Sequence, residues 1–222
     1  MSVAVALAAA GVLEDGRRAR DAQDRGALEA AAARAAEAAT RQPQNNRLQY
    51  EAALVYSYLA EVFAEVRDQG GGRKAAEAGI AAAERAVTGD PKSAEYHRLL
   101  GALYAQAIPG NLGLALKYGP KTKDELERAV TLDPKNPDAY LSRGIGKHYL
   151  PPMLGGGSDA ALEDIRKALE LDPKSDQAWL WQGIVLRKAN RNREARESLA
   201  RAVKLNPRRV WAKQQLEKTP AQ

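Results

Sequence analysis

The sequence predicts an all-α chain: a stack of about five helix pairs closed by a C-terminal capping helix. Three observations predict it. Alanine supplies 44 of the 222 residues, aromatic residues are only 5% and charged residues 28%, a composition that favours helix over sheet. Proline-centred stops recur at Arg41-Gln42-Pro43, Gly89-Asp90-Pro91, Leu132-Asp133-Pro134, Leu171-Asp172-Pro173 and Leu205-Asn206-Pro207. Proline lacks the donor a helix needs and pushes the preceding residue out of the α region, so each of these ends a helix. An alanine stands five residues before every one of them, at Ala38, Ala86, Ala129, Ala168 and Ala202.

The intervals between these prolines are 48, 43, 39 and 34 residues, which a 34-residue unit with insertions of 14, 9 and 5 explains. Thirty-four is the period of a two-helix repeat. In chain order the elements are an alanine-rich pair near 3–25 and 27–41, then pairs near 46–67 and 73–88, 94–107 and 121–132, 137–150 and 158–171, and 176–189 and 192–205. A helix near 208–218 caps the stack, with Trp211 and Leu216 inward and its lysines outward. The whole of 1–222 is expected to be one domain: a degenerate first pair at 3–41, repeats at about 46–93, 94–136, 137–175 and 176–209, and the cap at 208–218.

The residues inside the unit resemble the tetratricopeptide repeat family. Trp179 takes the position where that family favours Trp, Gly183 its small residue in the first helix, Ala195, Leu199 and Ala202 its small-large-small positions in the second, and Pro207 closes the unit. Ala53, Gly101 and Gly144 match Gly183 in earlier units, and Tyr56 and Tyr104 match the aromatic position that Lys147 and Leu186 depart from. The resemblance implies a right-handed superhelical solenoid, first helices lining a concave groove, and no enzymatic activity. Gly183 is expected to let its helix approach Ala195 and Ala202, with Leu199 filling space toward the next repeat.

The insertions are expected between the first and second helix of a unit, on one rim: Asp68–Arg73, Ile108–Gly113 and Leu150–Gly157. The third is apolar, Pro151-Pro152-Met153-Leu154, with Met153 and Leu154 expected to tuck beneath a neighbouring loop. The segment His148–Gly157 is also similar to a proline-then-glycine insertion of bacterial tetratricopeptide proteins associated with periplasmic solute transporters of the TRAP type. This narrower resemblance implies an accessory protein with an apolar ligand pocket and a partner that binds small organic acids. The lipid-attachment cysteine of such exported lipoproteins has no counterpart among these residues.

Much chemistry is excluded. With no cysteine and two histidines, neither thiolate nor histidine-rich metal sites are expected, and no metal, cofactor or catalytic residue is assigned. Gly70-Gly71-Gly72-Arg73-Lys74 and Gly155-Gly156-Gly157-Ser158 lack the spacing of a nucleotide loop, and no strand precedes either. Ser158 is expected to be a helix N-cap, and His148 a polar surface residue on the groove face. No apolar run is long enough to span a bilayer. No Lys or Arg precedes the small apolar stretch Ala6–Gly11, so the start is read as an ordinary helix. That favours the cytoplasm, with the periplasm the alternative for a chain whose signal segment has been removed.

Registering each unit on its proline places Tyr50, Leu54, Tyr58, Leu141, Ile145, His148, Tyr149, Leu180, Trp181, Ile184, Arg187 and Lys188 in the groove. Trp179 is expected buried between helices and Trp181 exposed in the groove beside Leu180, Ile184 and Tyr149. Such aromatic surface anchors peptides. The expectation is therefore an interaction scaffold binding a protein or peptide segment, an acidic one suiting the positive end. Ten basic residues and two acidic ones lie between Leu186 and Lys213, more positive than the whole chain's net +6, so the remainder is slightly acidic. Nucleic-acid or anionic-surface binding through this end is the alternative, disfavoured for nucleic acid.

Overall fold

The structure, a computed structural model, describes residues 3–221, with side chains from residue 11 onward. The expectation for Ala6–Gly11 falls on side chains outside the described residues, except for Gly11. Eleven α-helices and one 3-10 turn are present among the described residues. The chain divides into two compact units, Met1–Arg128 and Ala129–Gln222.

The first unit holds α1 (Val3–Asp21), α2 (Arg25–Arg41), α3 (Asn46–Glu65), α4 (Gln69–Gly89), α5 (Ala94–Ala107) and most of α6 (Leu112–Leu132). Pairs α1/α2 and α3/α4 pack as antiparallel hairpins, and α1, α3 and α5 lie side by side. Their core is small-residue rich: Ala31, Ala35, Ala52, Ala76 and Ala83 around Leu28, Val55, Val62, Leu99 and Leu103. The second unit holds α7 (Pro137–Tyr149), the 3-10 turn Pro152–Leu154, α8 (Ser158–Leu171), α9 (Asp176–Lys188), α10 (Asn192–Leu205) and α11 (Val210–Glu217). Pairs α7/α8 and α9/α10 pack in the same way, and α11 lies on α10.

The proline stops have a common local chemistry. The residue before the proline closes its helix onto the alanine named above, as in Asp90 N–H to the Ala86 carbonyl and Asp172 N–H to that of Ala168. Its side chain then accepts the N–H two residues on, at Asp90–Lys92, Asp133–Lys135, Asp172–Lys174 and Asn206–Arg208. The next first helix is capped by Ser93, Asn136 or Ser175. Each turn thus satisfies the donors and acceptors that a helix end leaves open.

The first expected insertion is helix from Gln69 onward, and the second is a short turn, 108–111, that leads directly into helix at Leu112. The connections α1/α2, α3/α4 and α9/α10 are equally tight, each turning on one left-handed residue: Gln23, Arg67 and Asn190 at φ 54°, 64° and 60°. In each, the N–H of the next residue reaches back to a carbonyl near the end of the first helix, as Asp68 to Phe63 and Arg191 to Leu186. The extra length of the second repeat lies in α3 and α4, of 20 and 21 residues. Gly70, Gly71 and Gly72 form the first turn of α4, with Asp68 accepting the Gly71 N–H. A Cβ on Gly71 would stand 2.5 Å from the Phe63 ring, so that glycine lets the start of α4 pack closely on α3. Likewise α6 begins at Leu112 and runs through Pro120 instead of starting near 121.

The third insertion is a true loop. Gly155 and Gly157 hold φ of 81° and 97°, which side-chain-bearing residues rarely adopt. The Gly157 N–H bonds the Lys147 carbonyl and closes the excursion. Gly157, not Ser158, is the N-cap of α8, and Ser158 is already helical.

Candidate functional site

Aromatic side chains of the second unit gather around Trp181. Its ring meets His148, Tyr149 and Trp211 edge-on, at 6.1, 6.2 and 5.6 Å between centroids. His148 and Tyr149 meet at 4.9 Å. Beside this cluster the chain leaves α7 as an apolar tongue with no cover: Tyr149 is 69% exposed, Leu150 37%, Met153 89% and Leu154 65%. The tongue is held in shape by Leu154 N–H to the Pro151 carbonyl and by two prolines that limit its backbone freedom. Met153 and Leu154 therefore do not tuck under a loop as expected: both are exposed, on a turn whose two prolines restrict its backbone.

His148 is buried, not a surface residue. Its Nδ1 has no hydrogen-bond partner. Burial first, and then the Lys188 ammonium, push its imidazole down from 6.5 to about 4. Lys188 is exposed and donates Nζ to the His148 carbonyl at 2.9 Å, which fixes a positive charge at the edge of the cluster.

Several expected groove residues are core. Leu180 is fully buried with Leu199, Ala202 and Ala212, and Leu141 is buried with Ala161, Leu162 and Ile165. Trp181 is 9% exposed and belongs to the same cluster as Leu141. Trp179, expected buried, is half-buried, with Nε1 donating to the Pro173 carbonyl at 3.0 Å. The reason lies in α9 itself, which is packed on two sides. Ala178, Trp181 and Val185 recur at three and four residues and face α7 and α8, while Leu180 faces α10 and α11. Ile145 and Ile184 remain half-buried, and Tyr149 is the most open of the set. Gly183 lies against Leu199 and the Ala195 carbonyl, and Leu199 also packs with Ala212 on α11, toward the next element as expected.

In the first unit Tyr50, Leu54 and Tyr58 are half-buried. Tyr50 donates its hydroxyl to Glu95 at 2.8 Å and packs on Tyr96 at 5.3 Å; burial, then Glu95, holds that hydroxyl far above its ordinary pKa. Arg20 of α1 lies 4.9 Å over the Tyr58 ring. These side chains are committed to neighbouring helices.

The basic C-terminal segment is also largely committed. Arg187 donates to the Gln215 carbonyl and Thr219 hydroxyl, both at 3.2 Å, and to the Gln215 side chain. Arg196 donates to the carbonyls of Leu216 and Thr219. Arg209 is fully buried beside Trp211, and Arg191 and Arg193 pair with Glu194 and Glu197. Arg187 therefore binds α11 and is not offered to a partner. The groove assignment left out Leu150, Met153 and Leu154, although the apolar run they form where loops are polar was the available signal.

A model of the tetratricopeptide repeat family matches residues 155–210, from the end of the tongue to the start of α11. That stretch, about a quarter of the chain, reads as tetratricopeptide repeat. A crystal structure of TTC0263, a thermophilic tetratricopeptide repeat protein of Thermus thermophilus, has the same fold: 18% identity, a TM-score of 0.62, and coverage of 86% of this chain and 92% of that one. A second similar structure is YrrB, described as a tetratricopeptide repeat protein with an unusual peptide-binding site, at 19% identity and a TM-score of 0.46 over 84% of this chain and 82% of that one. No curated protein matches the sequence. Tetratricopeptide repeats are generally non-enzymatic protein–protein interaction scaffolds. No helix among the described residues is long and apolar enough to cross a membrane.

Proposed function

We propose that this tetratricopeptide repeat protein is a non-enzymatic scaffold whose second unit holds a protein segment against the Tyr149–Leu154 tongue. The observation that carries this reading is the exposure of four large apolar side chains on a proline-stiffened turn beside a buried aromatic cluster. Exposed apolar patches of this kind mark interaction sites, and a preformed turn loses little entropy on binding. Ile145, Tyr149, Ile184 and Lys188 are the proposed contacts retained from the sequence, joined by Leu150, Met153 and Leu154. Lys188 selects a segment with a carboxylate beside its apolar residues.

The test is selection of a random peptide library on the full chain, followed by anisotropy titration of the enriched peptides. Enriched sequences should combine aliphatic or aromatic residues with Asp or Glu. The pair Tyr149→Ala and Met153→Ser should each weaken binding by about 2 kcal/mol, the scale of an interface hot spot, with unchanged melts. Peptides whose affinity ignores both substitutions would remove the tongue from the reading.

A further inference from the structure

The first unit has an apolar surface of its own, at the edge where α3 passes to α4 and α5 to α6. Leu112 and Leu116 stand one helical turn apart on α6 and are 77% and 74% exposed, and Val66, in the α3/α4 turn, is 53% exposed. The two turns adjoin, because a side chain added at Gly110 would run into the Gln69 carboxamide. Asn111 caps α6 by accepting the Leu114 N–H at 3.0 Å, so Leu112 projects from a fixed helix start.

Exposed basic residues lie on both elements of this edge, with the acidic Glu65 and Asp124 at its two ends. Arg67 and Lys74 are exposed in and just after the α3/α4 turn, and Lys117, Lys121 and Lys123 are exposed along α6. No Asp or Glu occurs from Tyr96 to Lys123. Asp68 is occupied as the cap of α4. Lys117 and Lys121 lie 4.8 and 5.4 Å over the rings of Tyr118 and Tyr104, which hold their stems in place and leave the ammonium groups charged.

We propose that this edge docks the chain on an anionic lipid surface. Charge complementarity argues for the anionic partner. The manner of exposure argues for lipid: side chains at 77% and 74% exposure project outward instead of lining a recess, so they suit insertion between headgroups rather than reception of a peptide side chain. The exposed basic residues of the same edge supply attraction to headgroup phosphates and carboxylates. This surface is separate from the tongue and does not depend on it.

The experiment is co-sedimentation of the full chain with vesicles of phosphatidylcholine alone or with about 30% phosphatidylserine, at about 0.1 M salt. Partitioning should favour the anionic vesicles at least about tenfold. Lys117→Gln with Lys121→Gln should lower it about thirtyfold, roughly fivefold for each charge, and Leu112→Ser with Leu116→Ser should abolish it. Both pairs are exposed, so circular dichroism melts should be unchanged. Arg201→Gln with Lys204→Gln, in the C-terminal basic segment, should have no effect. Equal partitioning on the two vesicle types overturns the proposal, as does a loss that follows the C-terminal pair. So does a dimer in sedimentation velocity that Leu112→Ser dissociates, which would make the face a self-association surface. Tighter binding of a Glu- and Leu-rich peptide than of vesicles would assign the edge to a protein partner instead and overturn it too.

Discussion

At the scale of single residues, two neighbouring tryptophans divide the labour in a way that spacing alone assigned backwards. Trp181 shares the core stripe of Ala178 and Val185, whereas Trp179 sits half-exposed with its indole N–H on a backbone carbonyl. Trp181→Ala should therefore cost about 3–5 kcal/mol in stability, and Trp179→Ala clearly less, as read by urea denaturation of both variants. An equal loss in the two would contradict this division. His148 gives a pH signature. Its imidazole is held near 4 in the folded chain against an ordinary 6.5, so the folded state stays neutral while the unfolded state takes up a proton. Stability from this group is present above 6.5, falls as the pH drops toward 4 and is gone below it. His148→Phe should flatten that part of the melting-temperature profile, and an unaltered slope would show that other groups set it.

At the scale of elements, the helix pairs are held by close backbone approach and by a few buried ion pairs. Asp164 is nearly buried on α8 and accepts from Arg143 at 2.8 and 2.9 Å and from Lys147 at 2.8 Å, both on α7. Removing the carboxylate strands two partly buried cations, so Asp164→Ala should cost about 3–5 kcal/mol, measurable by chemical denaturation. The last helix is fastened by Arg187 and Arg196 through the carbonyls of Gln215, Leu216 and Thr219, and it lays Ala212 on Leu180 and Leu199. Ending the chain at Pro207 should uncover that cluster and orphan both arginines. A lower melting temperature and aggregation on sizing are expected, and a stable monomeric truncation would show that α11 is dispensable. Helix boundaries around the proline stops were readable because the same turn chemistry recurs. The starts of α4 and α6 were not, because Gly70-Gly71-Gly72 and the Ile108–Gly113 insertion read locally as loop, while packing of Gly71 on Phe63 and capping by Asn111 start helix within them.

At the scale of the whole molecule, the two units have separate cores, so damage should stay local, as in other repeat arrays. A Cβ on Gly183 would lie 2.9 Å from the Ala195 carbonyl and overlap Leu199, so Gly183→Leu should open α7–α11 to hydrogen exchange while α2–α5 keep their protection. Exchange rising equally throughout would mean that the units unfold as one. The repeat itself was legible from residues because a two-helix unit carries its signals locally: a proline stop, an alanine one turn before it, and small residues where helices touch. These determined the all-α class and the helix pairing. The candidate site was legible only in outline. Tyr149 and the apolar insertion were visible as a run of residues in the wrong kind of segment. Whether Leu141, Leu180 and Trp181 faced outward depended on what lay against the far side of α9. Exposure is a property of neighbours distant in sequence, and no spacing within one helix specifies them, so only the tertiary structure decided which apolar side chains became core and which remained free to meet a partner.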